Sequence, residues 1–229
     1  MTTDSRPLAI SAPEPRSLHL IFTKEALSLL HSKYRIVEAD PENIAGLGDA
    51  VLGEARYIIG QPPLTKETLD RMPQLRCILN VESNLINNMP YEVLFERGIH
   101  VVTTGLVFAE PVAEIGLGFA LSLARGIADA DRDFREGREL WGGDGNASAR
   151  LISGSDIGII GFGDLGKALN RVLSGFRANI KVFDPWMPPS ILREHGVQPA
   201  GLDEVLSGSD FIFVVASVTS ENKGFLGAE

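Results

Sequence analysis

Asp156-Ile157-Gly158-Ile159-Ile160-Gly161-Phe162-Gly163-Asp164-Leu165-Gly166-Lys167-Ala168, with Ile180-Lys181-Val182-Phe183-Asp184 behind it, decides the fold class. Ile157, Ile159 and Ile160 form a short apolar run, as a strand buried on both faces does. Gly161, Gly163 and Gly166 follow at the GxGxxG spacing. Leu165, Ala168, Leu169, Val172 and Leu173 then recur at helical intervals. A second apolar strand, Ile180 to Phe183, ends in Asp184, about twenty residues beyond the glycines.

Each part has a mechanical reason. Gly161 permits the tight turn out of the strand, Gly163 lets the backbone approach a diphosphate, and Gly166 lets the helix lie close to the sheet. The unpaired N–H groups and the positive end of that helix then face the anion. Asp184 is placed to accept the hydroxyls of an adenosine ribose. It also opposes a 2′-phosphate, since two unit charges about 4 Å apart at an effective dielectric near 20 repel by roughly 4 kcal/mol. Pro185, Trp186, Met187, Pro188 and Pro189 bring no compensating cation. The expected cofactor is therefore NAD, held by Gly161, Gly163, Gly166 and Asp184. The bland reading of the same residues is a tight turn, with Asp184 capping the next helix.

Composition sets the outer bounds. The chain of 229 residues is long enough for one large or two smaller cores. A net charge of −9 disfavours a general nucleic-acid or anionic-membrane surface. The single cysteine, Cys77, cannot form an internal disulfide, which points to a reducing, cytoplasmic compartment. Its place in Leu75-Arg76-Cys77-Ile78-Leu79 predicts a buried, inert thiol. No apolar stretch reads as long enough to span a bilayer. Residues 1 to 16, with Asp4, Arg6 and several prolines, read as a loose tail without the apolar core of a secretion signal.

From Leu18 to Thr104, apolar runs and helical patterns alternate. Strands are predicted over Leu18–Phe22, Arg35–Glu38, Tyr57–Gly60, Leu75–Val81 and Ile99–Thr104. Helices are predicted over Lys24–Tyr34, Asn43–Glu54, Thr65–Met72 and Pro90–Arg97. This alternation implies a parallel sheet with helical crossovers, a first α/β unit distinct from the glycine-rich one. In such sheets the chemistry lies beyond the carboxyl ends of the strands. That rule points to Thr23, to Gln61 and Pro62, to Glu82, Ser83 and Asn84, and to Thr104 and Gly105. The same rule sets His19 and His100 at the wrong edge. His31 falls on a polar helix face and His195 at a helix end, so no histidine reads as an acid or base.

Pro111 reads as the first turn of a long helix that continues toward Phe134. Its stretch Ile115 to Ala124, apolar nearly all round, is expected to be buried between layers or units. Trp141 to Ala149 reads as an exposed loop. After Asp184 come helices at Ser190–Glu194 and Leu202–Leu206, a short strand near Val197, and the strand Phe211–Ala216.

Several segments now combine: Glu96-Arg97-Gly98-Ile99, Ala109-Glu110-Pro111-Val112-Ala113-Glu114, the glycine turn, Asp184, and Val218-Thr219-Ser220-Glu221-Asn222-Lys223-Gly224. On these the chain, from Leu18 to Glu229, resembles the D-isomer-specific 2-hydroxyacid dehydrogenases, the family that includes phosphoglycerate dehydrogenase. The resemblance implies an α/β fold of two doubly wound parallel-sheet units. A flavodoxin-like substrate domain would occupy 17–108, and a Rossmann NAD-binding domain, with the chain ending inside it, 109–229. It implies hydride transfer between nicotinamide and C2 of a small D-2-hydroxy or 2-oxo acid. Asp164 and Leu165 would lie under the diphosphate, with Ser217, Thr219 and Asn222 along the cofactor. Backbone N–H groups of Glu82, Ser83, Asn84 and Leu85 would hold the substrate carboxylate, although the family's usual two glycines are absent from that loop. The catalytic Arg, carboxylate and His of the family correspond to positions beyond Glu229. A homodimer is implied, with the helix from Pro111 and the Trp141 loop as candidate contacts. Two alternatives stay open: a dinucleotide-binding sensor of the same fold, and a formate-type dehydrogenase.

Overall fold

The computed structural model describes residues 4–218 and 222–227, which fall into two compact units dividing at Thr104/Gly105 rather than at 108/109. In the first unit the order is β1 (Leu8–Ala12), α1 (Leu18–Ile21), α2 (Lys24–Lys33), β2 (Arg35–Glu38) and a 3-10 turn (Pro41–Gly46). Then come α3 (Asp49–Glu54), β3 (Ala55–Gly60), α4 (Lys66–Asp70), β4 (Cys77–Leu79), α5 (Tyr91–Glu96) and β5 (His100–Val102). The strands pair in the order β2-β1-β3-β4-β5, all parallel. This is the flavodoxin-like order, whose direction reverses between β1 and β3.

Two expectations are corrected here. Residues 8–12, expected in the loose tail, form β1, buried along its length between β2 and β3. Leu18–Phe22, expected as a strand, holds the short helix α1 instead. With β1 already in the sheet, Leu18 alone of this run is buried, and Leu20 points outward. The long helix expected over Asn43–Glu54 is split into the 3-10 turn and α3, with Gly48 in extended backbone between them. The core is formed by Ile10, Leu52, Ile58, Leu69, Met72, Ile78 and Leu94, all nearly inaccessible.

The second unit runs α6 (Gly105–Arg125), α7 (Ile127–Arg135), a 3-10 turn (Asp144–Asn146), β6 (Asp156–Ile160), α8 (Asp164–Leu173) and β7 (Asn179–Phe183). It continues with α9 (Pro189–Glu194), β8 (Gln198–Pro199), α10 (Leu202–Ser207) and β9 (Phe211–Val214). The parallel order β8-β7-β6-β9 is that of a Rossmann half with its reversal between β6 and β9.

Helix α6 starts at Gly105, so Pro111 stands inside it rather than in its first turn. Ala109, Ala113, Ala120 and Ala124 form its buried face and pack in the core over α8. Small side chains there let the two helix backbones approach closely. The opposite face is not buried: Ile115, Phe119 and Leu123 are exposed, Leu123 at 82%. Only one face therefore meets the expectation of burial. At 21 residues and mean hydropathy 1.6, α6 has the length and apolar character to cross a membrane, against the expectation that no stretch had. Its alanine face instead serves as one layer of this α/β unit.

Candidate functional site

Strand β6 delivers the chain to Gly161, whose φ of +93° suits glycine alone. A Cβ at this position would stand 2.6 Å from the backbone N and Cα of Ala216, just past β9. The turn therefore needs no side chain at 161 and a small one at 216. Phe162 folds inward, fully buried, with its ring edge-on to His195 at 5.5 Å between centroids. Gly163, the N-cap of α8, has no atom within 4 Å of where a Cβ would stand, so this face of the turn is open. At Gly166 a Cβ would run into the Gly161 carbonyl, so α8 can approach the turn only because that residue is glycine. The three glycines thus do three different jobs.

The first backbone bond at the head of α8 joins Lys167 N–H to the Gly163 carbonyl at 3.0 Å. The N–H groups ahead of it have no acceptor within the helix and lie at its positive end. Asp164 turns its carboxylate toward Gly105 at the start of α6, where a Cβ would lie 2.7 Å from Oδ2. Its backbone, rather than its charge, is what it presents to an anion.

Asp184 follows β7 and closes the other side of the turn. Its Oδ2 accepts the N–H of Phe162 at 2.7 Å. Its Oδ1 accepts those of Trp186 at 2.9 Å and Met187 at 3.1 Å. The carboxylate thus acts as a turn anchor as well as a candidate ribose acceptor. A carboxylate offers about four lone-pair sites, so these bonds leave room for a ribose hydroxyl. Past β9, Asn222 donates its side-chain N–H to the Ser217 carbonyl at 2.8 Å. Thr219 lies outside the described residues.

In the first unit, Glu82 lies just beyond β4. Its N–H bonds to Asn80 Oδ1 at 2.9 Å, and its carbonyl accepts the N–H of Thr104 at 3.1 Å. That N–H is therefore already used, while Ser83, Asn84 and Leu85 are exposed. Asn80, 1% exposed, also donates to the Asn84 carbonyl at 2.8 Å and so shapes the loop from beneath. With its amide turned to satisfy both ends, Gln61 donates to Asn80 and to the Asn84 carbonyl and accepts from Ile86 N–H at 2.8 Å.

The Glu82 carboxylate is gripped by Arg16, with Nε to Oε1 at 2.6 Å and Nη2 to Oε2 at 3.3 Å. Sequence reasoning sets Arg16 in the tail and so misses this partner. The signal available is the short, mostly apolar run Leu8-Ala9-Ile10-Ser11-Ala12 between Pro7 and Pro13, with Arg16 shortly after it. Thr23, expected at a strand end, instead caps α2 by accepting Ala26 N–H at 3.2 Å. His100 opens β5, as expected, but His19 sits in α1 rather than on a strand. Cys77 is half-buried in β4, and burial pushes its thiol above the ordinary value.

Residues 117–229 match the family model described as "D-isomer specific 2-hydroxyacid dehydrogenase, NAD binding domain". A solved structure titled as a phosphoglycerate oxidoreductase from Rhizobium etli is 77% identical, with a TM-score of 0.85 over 97% of this chain and 67% of that one. The chain belongs to the D-isomer-specific 2-hydroxyacid dehydrogenase family. Curated relatives include the glyoxylate reductase of Korarchaeum cryptofilum, 28% identical over 73% of this chain and 50% of that protein. The D-3-phosphoglycerate dehydrogenase of Mycobacterium tuberculosis is 26% identical over 82% of this chain and 38% of that protein. The chain thus spans half or less of the length of these two family members. The family's two α/β units correspond to the two parallel sheets described above.

Proposed function

We propose that this chain contributes the cofactor and substrate units of an NAD-dependent oxidoreductase acting on a small D-2-hydroxy or 2-oxo acid. The observation that carries the reading is the Gly161 turn at the β6/β9 reversal, with an open Gly163 and a carboxylate at 184. When bound, the cofactor supplies the hydride, which passes between C4 of nicotinamide and C2 of the acid. Gly161 and Gly163 admit the diphosphate, the head of α8 offers N–H groups to it, and Asp184 accepts the adenosine ribose and disfavours NADP. Asp164 and Leu165 lie under the diphosphate, with Ser217, Thr219 and Asn222 along the cofactor.

In the first unit, Glu82, Ser83, Asn84 and Leu85 form the loop that receives the acid. The N–H groups of Ser83 to Leu85 are the better donors, since that of Glu82 is taken. The names of the relatives, glyoxylate reductase and phosphoglycerate dehydrogenase, agree with this substrate class. A cytoplasmic homodimer, paired through the exposed face of α6, completes the reading. The test is NADH absorbance with the full-length protein and a panel of 2-oxo acids. Oxidation with at least one acid is expected, and none with any would refute the reading.

A further inference from the structure

Strand β4 ends at Leu79, and the next residue, Asn80, carries an amide that is only 1% exposed. A buried amide is tolerated when its polar atoms are bonded, and both of these are. Its Oδ1 accepts the Glu82 N–H at 2.9 Å, and its Nδ2 donates to the Asn84 carbonyl at 2.8 Å. Gln61, just past the neighbouring strand β3, joins the same loop. In its satisfied orientation it donates to Asn80 Oδ1 at 3.0 Å and to the Asn84 carbonyl at 3.1 Å, and accepts the Ile86 N–H at 2.8 Å. The Tyr91 hydroxyl donates to the Ile86 carbonyl at 2.7 Å.

These bonds run in one direction. Every side-chain bond of Asn80 goes to the loop or to Gln61, and none goes to the apolar core. The loop lies at the surface, where water is at hand to serve the same backbone groups. What the amide adds is shape. Bridged at 82, 84 and 86, the backbone between is held in one conformation. No residue from Glu82 to Leu85 needs left-handed backbone for it, so the loop requires no glycine. Among the described residues, the N–H groups of Ser83, Asn84 and Leu85 meet no acceptor. Successive unbonded N–H groups beyond the carboxyl end of a strand suit a small anion.

We propose that Asn80, aided by Gln61, is a positioning residue for the substrate carboxylate. Asn80 acts through the loop rather than on the acid. By taking the Glu82 N–H and tying the Asn84 carbonyl to a buried amide, it leaves Ser83, Asn84 and Leu85 as the donors and sets their directions. The affinity for the acid thus depends on two side chains beneath the loop. This rests on the reading that the loop receives a small organic acid.

The test uses the full-length protein with NADH present, and oxamate, an unreactive anion shaped like a 2-oxo acid, as the probe. Asn80→Leu keeps the size of the buried side chain and removes both bonds, and the lost pre-organisation should raise the oxamate dissociation constant at least about tenfold. Gln61→Met loosens the loop at 84 and 86 and should raise it at least about threefold. With glyoxylate as substrate, KM should rise while kcat holds, since the carboxylate contact is made equally in ground and transition states. A general loss of structure would instead lower the melting temperature, NADH affinity and kcat together. Should Asn80→Leu fail to fold, Gln61→Met decides. Unchanged oxamate affinity in the folded variants, kcat falling with KM held, or no oxamate binding by the wild type would overturn the proposal. If the wild type binds oxamate but reduces no 2-oxo acid, hydride transfer is refuted and the oxamate constants alone judge the role of Asn80.

Discussion

Asp184 Oδ2 accepts the Phe162 N–H at 2.7 Å, so the carboxylate at the end of β7 holds the glycine turn that follows β6. One residue joins two strand ends, so the proposed ribose contact and the hold on the turn share one carboxylate.

Asp184→Asn should therefore act on the fold as well as on the ligand. An amide keeps one acceptor but points N–H toward N–H at the other oxygen. A charge-assisted bond is lost from a half-buried site, at about 1–3 kcal/mol. Thermal unfolding of the variant without cofactor should show that loss. An unchanged midpoint would mean that the carboxylate does not anchor the turn.

Gly161→Ala and Gly163→Ala should separate folding from binding. The first forces a methyl into left-handed backbone and against Ala216, and should cost roughly 2–4 kcal/mol. The second has φ of −70° and open space around it, so the protein should melt as the wild type does. Its methyl would stand where a diphosphate passes, and NADH affinity should fall at least about tenfold. Circular dichroism melts and NADH titration read the two effects.

Cys77 offers a check through pH. Burial raises its thiol above 9.0, so the folded chain favours the protonated form. The associated stability is complete below the unfolded thiol value and is lost as pH rises through the folded one. Unfolding midpoints should accordingly decline more steeply above pH 9 in the wild type than in Cys77→Ala. At neutral pH, a thiol reagent should label Cys77 more slowly in the folded protein than after denaturation.

The outward face of α6 bears on assembly. Phe119, at 67% exposure, lies with Ile115 and Leu123 in an apolar stripe of the kind that marks a protein contact. Phe119→Glu should leave the helical signal intact and shift the mass by light scattering from dimer to monomer. A wild type already monomeric would rule the dimer out.

What can be read from sequence divides by distance along the chain. The β6–α8–β7 segment is legible because its glycine spacing, helical period and terminal Asp184 lie within thirty or so residues and have local causes. Leu8–Ala12 is not, because a short apolar run among prolines looks like a tail. Its register with Arg35–Glu38 and Ala55–Gly60 exists only in the folded sheet. That one miss moves the first strand to Leu18–Phe22 and the sheet edge to Thr23. It also hides Arg16, whose partner Glu82 is 66 residues away. Pro111 misplaces the start of α6 for a related reason: helix interiors tolerate proline when packing, here the alanine face, outweighs the lost bond.

The Gly161 turn grips a diphosphate, on this reading, while Asp184 reads the adjoining sugar. Trp186, two positions from Asp184 and 82% exposed, gives a local fluorescence signal for titrating NADH and NADPH against wild type and Asp184→Ala. The wild type should prefer NADH by about a hundredfold, the full Coulomb repulsion being reduced by solvent, and the variant should lose most of that preference. Equal affinity of the wild type for both dinucleotides, or a preference that survives the loss of the carboxylate, would contradict it.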